Sequence, residues 1–281
     1  RTPLVHSAAL SEAAGCELWL KLECRQTTGS FKPRGALNKI LSLPLEDRRR
    51  GVVAASAGNH ALGVAHACRA LGIAGAELFV QNNAAPAKIA KLRRYPVALH
   101  LVGDNYEEAQ QAALARVRET GRCFVAGYDD PAVVAGQGTT GLEIVDELRD
   151  VDAVVIPVGG GALMAGIAVA VKALQPAARI VGVNPEASPS AKLSFERGTP
   201  LDPFDHGPTL AHGLAGGFGK VPFEVARGLI DEIALVGEDE LRRGIAALID
   251  AEQVLAEASG IAAVSALLYG KVSGVVGKRV V

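Results

Sequence analysis

Residues 153–171 read AVVIPVGGGALMAGIAVAV, and this stretch decides the fold class. It carries no charge over 19 residues, which is near the length of a membrane span. Three consecutive glycines interrupt it, however, and such a run ends a regular element. The part before the glycines is apolar and mostly β-branched, like a buried strand, and the part after them suits a buried helix. The stretch therefore predicts a strand, a glycine loop and a helix.

The same alternation continues along the chain. Strand-like apolar runs occupy residues 51–56, 76–80, 97–103, 122–127, 153–158, 179–184 and 232–236. Helical spacing of apolar residues occurs over 59–72, 105–121, 141–150, 162–175 and 239–252. Apolar strands alternating with helices are typical of parallel sheets covered on both faces. We expect an α/β fold, with little regular structure from Pro185 to Gly219.

The domain organisation is suggested by length and by turn residues. A chain of 281 residues has room for about two domains. Turn residues cluster near 45–51 and 129–140. We therefore predict a large domain of residues 1–46 plus 134–281, and a small inserted α/β domain of residues 47–133.

Charge and cysteine content indicate the class of protein. The net charge is −1, so there is no basic excess for binding nucleic acid. The four cysteines form no CxxC motif, which indicates reduced thiols in the cytoplasm. The N-terminal residues contain no long apolar stretch that would predict a signal peptide. We expect no nucleic-acid partner and no membrane partner.

Two segments follow strands and are candidates for ligand binding. The glycine loop in PVGGGALMAG (157–166) opens a helix, which suits phosphate, although a purely structural turn is the alternative. It matches neither GxxxxGK[ST] nor a clean GxGxxG. The segment ASAGNHALGVA (55–65) places Asn59 and His60 at a helix start, at the sheet edge where open α/β sheets bind ligands. Its alternative is an asparagine helix cap beside a surface histidine.

Two further segments contain reactive side chains. In TGSFKPRGALNK (28–39), Pro33 suits the first position of a helix, which puts Lys32 at the positive helix end. Positive potential and burial favour an uncharged amine, the form that makes a Schiff base; a solvated charge is the alternative. In EASG (257–260), Ser259 precedes a helix of small residues, where a capping serine is the alternative.

These segments together resemble the fold-type II pyridoxal phosphate (PLP) enzymes, in particular the serine/threonine dehydratase group. The resemblance covers nearly the whole chain. Its motifs, in order, are TPL (2–4), KLE (21–23), GSFKPRGA (29–36), SAGNHALGVA (56–65), YDDPAVVAGQGTTGLEI (128–144), PVGGGAL (157–163) and EASG (257–260). The resemblance implies a tryptophan synthase β-like fold, with two parallel-sheet domains and the cofactor in the cleft between them.

The resemblance also implies residue roles. Lys32 would hold pyridoxal 5'-phosphate as a Schiff base, with Phe31 beside it. Asn59 would contact the phenolic oxygen, and Ser259 would face the pyridine nitrogen. The phosphate would bind to the loop of Gly159, Gly160, Gly161 and Ala162. The substrate carboxylate would bind to the loop of Ser56, Ala57, Gly58, Asn59 and His60.

The implied reaction is β-elimination from L-threonine or L-serine, which yields a 2-oxo acid and ammonia. The freed Lys32 amine would remove the α-proton as a general base. A serine at the ring nitrogen leaves the pyridine uncharged, which suits elimination more than transamination. The expected partners are a small amino-acid substrate and, in a homodimer, a second copy of the chain.

This sequence departs from the family pattern at four positions. Ala162 stands where many relatives have a fourth glycine. Ala57 stands where serine racemases have a serine, which disfavours racemisation. Asn184 replaces the acidic residue with which some relatives bind a divalent cation, so we expect no metal. His212, in AHGLA (211–215), either alters substrate specificity or is a surface histidine.

Other activities stay open. The alternatives within fold type II are a hydroxyaspartate dehydratase, a threonine synthase or a serine racemase. Threonine synthases usually read FKDRG where this chain reads FKPRG. A non-catalytic binding protein on a decayed scaffold is a further alternative, against which the intact Lys32 and Ser259 argue.

Overall fold

The computed structural model describes all 281 residues, which form two compact units. The first unit comprises Arg1–Cys24 and Gln137–Val281, and the second comprises Arg25–Gly136. Residues 25–46 thus lie in the second unit rather than with the larger one. The reason is close packing, since a side chain at Gly63 would lie 2.9 Å from the Lys32 carbonyl carbon. The predicted limits of independently folding domains stay a prediction.

Strands are numbered β1–β10 and helices α1–α12 along the chain. The strands of the first unit are β1 (Leu4–His6), β2 (Glu17–Lys21), β7 (Ala153–Pro157), β8 (Arg179–Pro185), β9 (Glu232–Val236) and β10 (Arg279–Val280). They form one sheet in the order β1-β2-β10-β7-β8-β9, in which only the β1–β2 pair is antiparallel. The sequence did not predict β1, β2 or β10.

Helices cover both faces of this first sheet. They are α1 (Ala8–Ala14), α8 (Ala162–Leu174), α9 (Ser190–Arg197), α10 (Lys220–Ala226), α11 (Glu238–Glu252) and α12 (Ala258–Leu268), together with most of α7 (Pro131–Glu147). Val155 belongs to the core on one face, with Ile261 of α12. Val154 belongs to the core on the other face, with Ile167 of α8. Burial on both faces explains the continuous apolar reading of β7.

The second unit has a smaller sheet that is parallel throughout. Its strands are β3 (Val52–Ala55), β4 (Glu77–Val80), β5 (Ala98–Leu101) and β6 (Cys123–Phe124), in the order β5-β4-β3-β6. Its helices are α2 (Lys32–Ser42), α3 (Leu45–Arg50), α4 (Asn59–Leu71), α5 (Pro86–Leu92) and α6 (Tyr106–Thr120). Val52 packs on the α4 side with Val64, and Val53 packs on the α6 side with Ala113.

The seven predicted strands correspond to β3–β9, and the predicted α/β class is confirmed. The cluster of turn residues near 129–140 does not form a loop, because α7 runs through most of it. Its glycines serve close packing: a side chain at Gly138 would lie 2.8 Å from the Gly166 carbonyl oxygen on α8. The stretch from Pro185 to Gly219 also contains a helix, α9. No helix combines the length and apolar character that a membrane span requires.

Candidate active site

Lys32 is the first residue of α2, and Pro33 is the second, one position later than predicted. The Lys32 Nζ donates a hydrogen bond to the backbone carbonyl oxygen of Gly127 at 2.8 Å. It also lies 5.2 Å from the centre of the Phe31 ring, within the range of a cation–π contact. The amine is therefore held by the protein and is not simply a solvated surface charge.

Helix α2 is fixed at both ends. Near its start, Gly63 of α4 lets the Lys32 backbone approach, since a side chain at 63 would lie 3.0 Å from the Lys32 Cβ. One to two turns later, Asn38 donates to the Ala132 carbonyl oxygen at 2.7 Å, and Lys39 pairs with Asp130 at 2.6 Å. The Lys32 side chain thus projects from a helix whose position is determined along its length.

The segment 56–60 forms the start of α4. Gly58 is the N-cap residue and Asn59 is the first residue inside the helix, so the alternative of an asparagine cap is wrong. The Gly58 N–H donates to the Ser56 Oγ at 3.1 Å, which closes the turn around Ala57. A helix start carries positive potential that favours an anion. Binding of a substrate carboxylate here stays a prediction.

The His60 side chain is buried, so the alternative of a surface histidine is wrong. Its Nε2 lies 2.8 Å from the carbonyl oxygen of Val125. Because a carbonyl only accepts, Nε2 carries the proton of this hydrogen bond. Burial, and secondly the nearby Lys32 charge, lower the pKa of His60 to about 4. The imidazole is therefore uncharged at neutral pH.

In the first unit, the glycine loop has no space for a side chain at Gly159 or Gly161. Gly161 has φ 94°, and a Cβ there would collide with the Phe218 ring and lie 2.8 Å from the Pro222 Cβ. A side chain at Gly159 would lie 2.8 Å from the Gly213 carbonyl oxygen. Helix α8 begins directly afterwards, at Ala162. The loop is thus a bare backbone turn at a helix start, where N–H groups have no partner within the helix.

Ser259 is the second residue of α12, whose N-cap is Glu257, so the alternative of a capping serine is wrong. Its Oγ accepts a hydrogen bond from the Gly213 N–H at 2.9 Å. Since the hydroxyl accepts there, its own proton can be donated to another acceptor. Gly213 also contacts Gly159, so this segment brings the glycine loop and Ser259 together. The neighbouring His212 is exposed.

Asn184 lies at the end of β8 and is fully buried. Its amide donates to the Val158 carbonyl oxygen at 2.7 Å, directly before the glycine loop, and accepts from the Lys192 N–H at 3.1 Å. Both ends of the amide therefore hold neighbouring backbone. The structure contains no cluster of three or more His, Cys, Asp or Glu side chains suited to a metal ion. The absence of a metal from the reaction stays a prediction.

Comparison with known proteins identifies the family. The family model described as "Pyridoxal-phosphate dependent enzyme" matches residues 1–281, the whole chain. This chain is a pyridoxal-phosphate dependent enzyme. The L-threonine ammonia-lyase of Thermotoga maritima is 45% identical to this enzyme over 269 residues, which are 95% of this chain and 67% of the relative.

Two further proteins are similar to this pyridoxal-phosphate dependent enzyme. The catabolic L-threonine dehydratase TdcB of Escherichia coli K12 is 43% identical over 280 residues, which are 99% of this chain and 84% of the relative. The structure of the processed form of threonine deaminase isoform 2 from Solanum lycopersicum superposes with a TM-score of 0.93 at 35% identity. The match covers 99% of this chain and 77% of that chain.

The residues of this enzyme fit its cofactor. Lys32 has an amine that could bond to the aldehyde, and Ser259 has a hydroxyl proton that it could donate to the ring nitrogen. A phosphate needs close backbone N–H groups, and the loop at Gly159 and Gly161 leaves room for no side chain. In the second unit, Lys32 lies close to α4, which begins with Asn59 and His60. In the first unit, Gly213 contacts both Gly159 and Ser259. The sequence did not predict the contacts of Gly127, because a backbone carbonyl has no sequence signal.

Proposed function

We propose that this enzyme releases ammonia from L-threonine, and also from L-serine, to leave a 2-oxo acid, by loss of water followed by hydrolysis. The hydroxyl leaves from the β-carbon, and the unsaturated amine that results takes up water and releases ammonia. The similarity to two relatives named for the deamination or dehydration of L-threonine supports this reaction. Lys32, with its amine on the Gly127 carbonyl oxygen, is the observation in the site that carries the proposal.

Lys32 has two roles in this proposal. Its Nζ would hold the cofactor covalently until the substrate amine displaces it, and the freed amine would then take the proton from the substrate α-carbon. When bound, pyridoxal phosphate supplies an electron sink for the charge that develops at that carbon. The hydrogen bond to Gly127 holds the amine in a defined direction while it is not bonded to the cofactor. A base so oriented meets the geometric requirement of general-base catalysis.

The other predicted residues bind and orient. The N–H groups of the loop from Gly159 to Ala162 hold the phosphate at the start of α8. Asn59 would contact the phenolic oxygen, and Phe31 would lie against the cofactor next to Lys32. The Ser259 hydroxyl donates to the ring nitrogen and leaves it without a full positive charge, because a serine does not carry the negative charge that would stabilise a pyridinium.

The 56–60 loop binds the substrate carboxylate in this proposal. The N–H groups at the start of α4 face an anion favourably, and Ala57 and Gly58 add no side chain that obstructs it. Ala57 also has no acid–base group, so it cannot supply a proton to the opposite face of the substrate. Elimination is thereby favoured over racemisation. Asn184 is not a metal ligand in this proposal, because its amide is already used on Val158 and Lys192.

We also propose a cytoplasmic homodimer. The family resemblance supports the dimer, and the four free cysteines (Cys16, Cys24, Cys68 and Cys123) support a reducing compartment. Sedimentation equilibrium tests the dimer, with an expected mass twice the chain mass of 29.0 kDa.

The proposal is tested by assaying 2-oxo acid release from L-threonine, L-serine and 3-hydroxyaspartate. We expect turnover with the first two, and we expect Lys32→Ala to lose both turnover and the visible absorbance of covalently bound cofactor. Lys88→Ala is the control, because this lysine is exposed on α5 and has no part in the proposed site. Full turnover by Lys32→Ala, or a preference for 3-hydroxyaspartate, would contradict the proposal.

A further inference from the structure

We propose that His60 is a positioning residue that holds the Gly127 carbonyl group in place to receive the Lys32 amine. The inference rests on the role of Lys32 in the proposed function. It assigns the His60 side chain to the protein interior, whereas the family resemblance implied contact with the substrate.

The first support is the geometry around the end of β6. The Val125 N–H donates to the Val53 carbonyl oxygen at 2.9 Å and extends the pairing with β3, while its own carbonyl oxygen is bound by the His60 Nε2. Two residues later, the imidazole lies against Gly127, with the His60 Cδ2 3.6 Å from the place of a Gly127 Cβ. His60 therefore contacts the segment both before and at the residue whose carbonyl oxygen binds Lys32.

The second support is the face of α4 on which His60 lies. His60 and Gly63 are three residues apart, so they occupy the same face of the helix. Gly63 lets the Lys32 backbone approach to van der Waals contact. One face of α4 thus determines both ends of the hydrogen bond: where the Lys32 main chain lies, and where its acceptor on Gly127 lies.

The third support is charge. A protonated imidazole this close to the Lys32 amine would repel the ammonium form. Burial and that neighbouring charge keep the pKa of His60 near 4, so the ring is neutral at physiological pH. A neutral imidazole still donates one hydrogen bond, which Val125 accepts. His60 can therefore hold the Gly127 segment in the same neutral form throughout the physiological pH range.

The inference predicts how the amine reacts when His60 changes. Without the Val125 anchor, the Gly127 carbonyl group moves and the ammonium form of Lys32 loses an acceptor. We expect the limiting rate of reaction with pyridoxal phosphate at high pH to fall by about tenfold, because the uncharged amine is no longer held in one direction. We also expect the pH of half-maximal rate to fall by about one unit, because the charged amine is stabilised less.

The experiment follows added pyridoxal phosphate reacting with the cofactor-free chain of 281 residues over a range of pH. The aldehyde and the Lys32 amine condense to a C=N bond with loss of one water, which visible absorbance reports. His60→Leu and His60→Ala remove the donor, and His60→Gln retains one. His66→Leu is the matched control, since His66 lies on the same helix and its pKa is lowered by its own burial and by Arg69, not by Lys32.

We expect the leucine and alanine variants to react slowly with a lower midpoint, and the glutamine and His66 variants to resemble the wild type. In the loaded enzyme, kcat for L-threonine should fall about tenfold with KM unchanged, because the base and not the substrate site is displaced. If the leucine variant does not fold, the alanine variant decides. The inference is overturned if His60→Leu and His60→Ala react with the same pH midpoint as the wild type. It is also overturned if His60→Gln reacts as slowly as those two variants.

The experiment separates this inference from the proposed function. If the wild-type chain forms no adduct on Lys32, the proposed function itself fails. If the adduct forms on Lys32 and the His60 variants react as the wild type does, only the positioning role fails. Mass analysis of the borohydride-reduced adduct identifies the modified lysine in either case.

Discussion

Replacing Gly161 with alanine tests how tightly the glycine loop is built. Gly161 has φ 94°, a conformation that costs a residue with a side chain about 1–2 kcal/mol. The new methyl group would also collide with the Phe218 ring. That ring is fully buried and packs against Phe195 and Phe223, so it has little freedom to move away. Such overpacking costs a further 1–3 kcal/mol, roughly.

We therefore expect Gly161→Ala to lower the free energy of unfolding by about 2–5 kcal/mol. Gly198→Ala is the matched control, because Gly198 has φ +69° but no atom within 4 Å of its Cβ position. This control should lose only the free energy of unfolding that comes from the left-handed backbone conformation, about 1–2 kcal/mol. Urea unfolding of both variants, monitored by circular dichroism, measures the difference.

A second variant tests the cause of the difference. Phe218→Leu removes part of the colliding ring, so Gly161→Ala should destabilise the protein less in that background. The double-mutant cycle should give a coupling of about 1–3 kcal/mol. The Gly161→Ala variant should also bind pyridoxal phosphate more weakly in equilibrium dialysis, because the added methyl group displaces the glycine loop. If Gly161→Ala and Gly198→Ala lose equal stability, the tight packing of the loop is refuted.

Three further variants test other contacts. As the pH falls from 6.5 to 4, the wild-type free energy of unfolding should drop by up to about 3 kcal/mol, because His60 is protonated in the unfolded chain and not in the folded chain. In urea titrations, His60→Gln should lack this part of the loss. Glu77→Ala should lower the free energy of unfolding by about 3 kcal/mol, because Arg116 and Arg122 lose their buried partner. Glu119→Ala is the control, because Glu119 is exposed and its loss should change urea unfolding little. Ser259→Ala should cost about 1 kcal/mol by removing the Gly213 acceptor, and should shift the cofactor absorbance.

The elements that the sequence predicts well are those with strong periodicity. Helix α4 was expected over 59–72 and spans Asn59–Leu71, and α8 was expected over 162–175 and spans Ala162–Leu174. The predicted start of helix α7, residue 141, is ten residues too late, because its glycines resemble turn residues. In the structure they permit contact with α8, and no local pattern distinguishes such a glycine from one in a turn. Strand β10 has only two residues, and pairing with β2 and β7 defines it.

The sequence by itself determined the α/β class and the reactive side chains, because periodicity and residue type are local properties. It placed an amine at Lys32, a hydroxyl at Ser259 and a bare backbone loop at Gly159–Gly161. Only the tertiary structure decided what each of them contacts. The acceptor of the Lys32 amine is the carbonyl group of Gly127, and the donor to Ser259 is the N–H of Gly213. Every residue has a carbonyl group, so only the folded chain determines which ones come within hydrogen-bonding distance of these side chains.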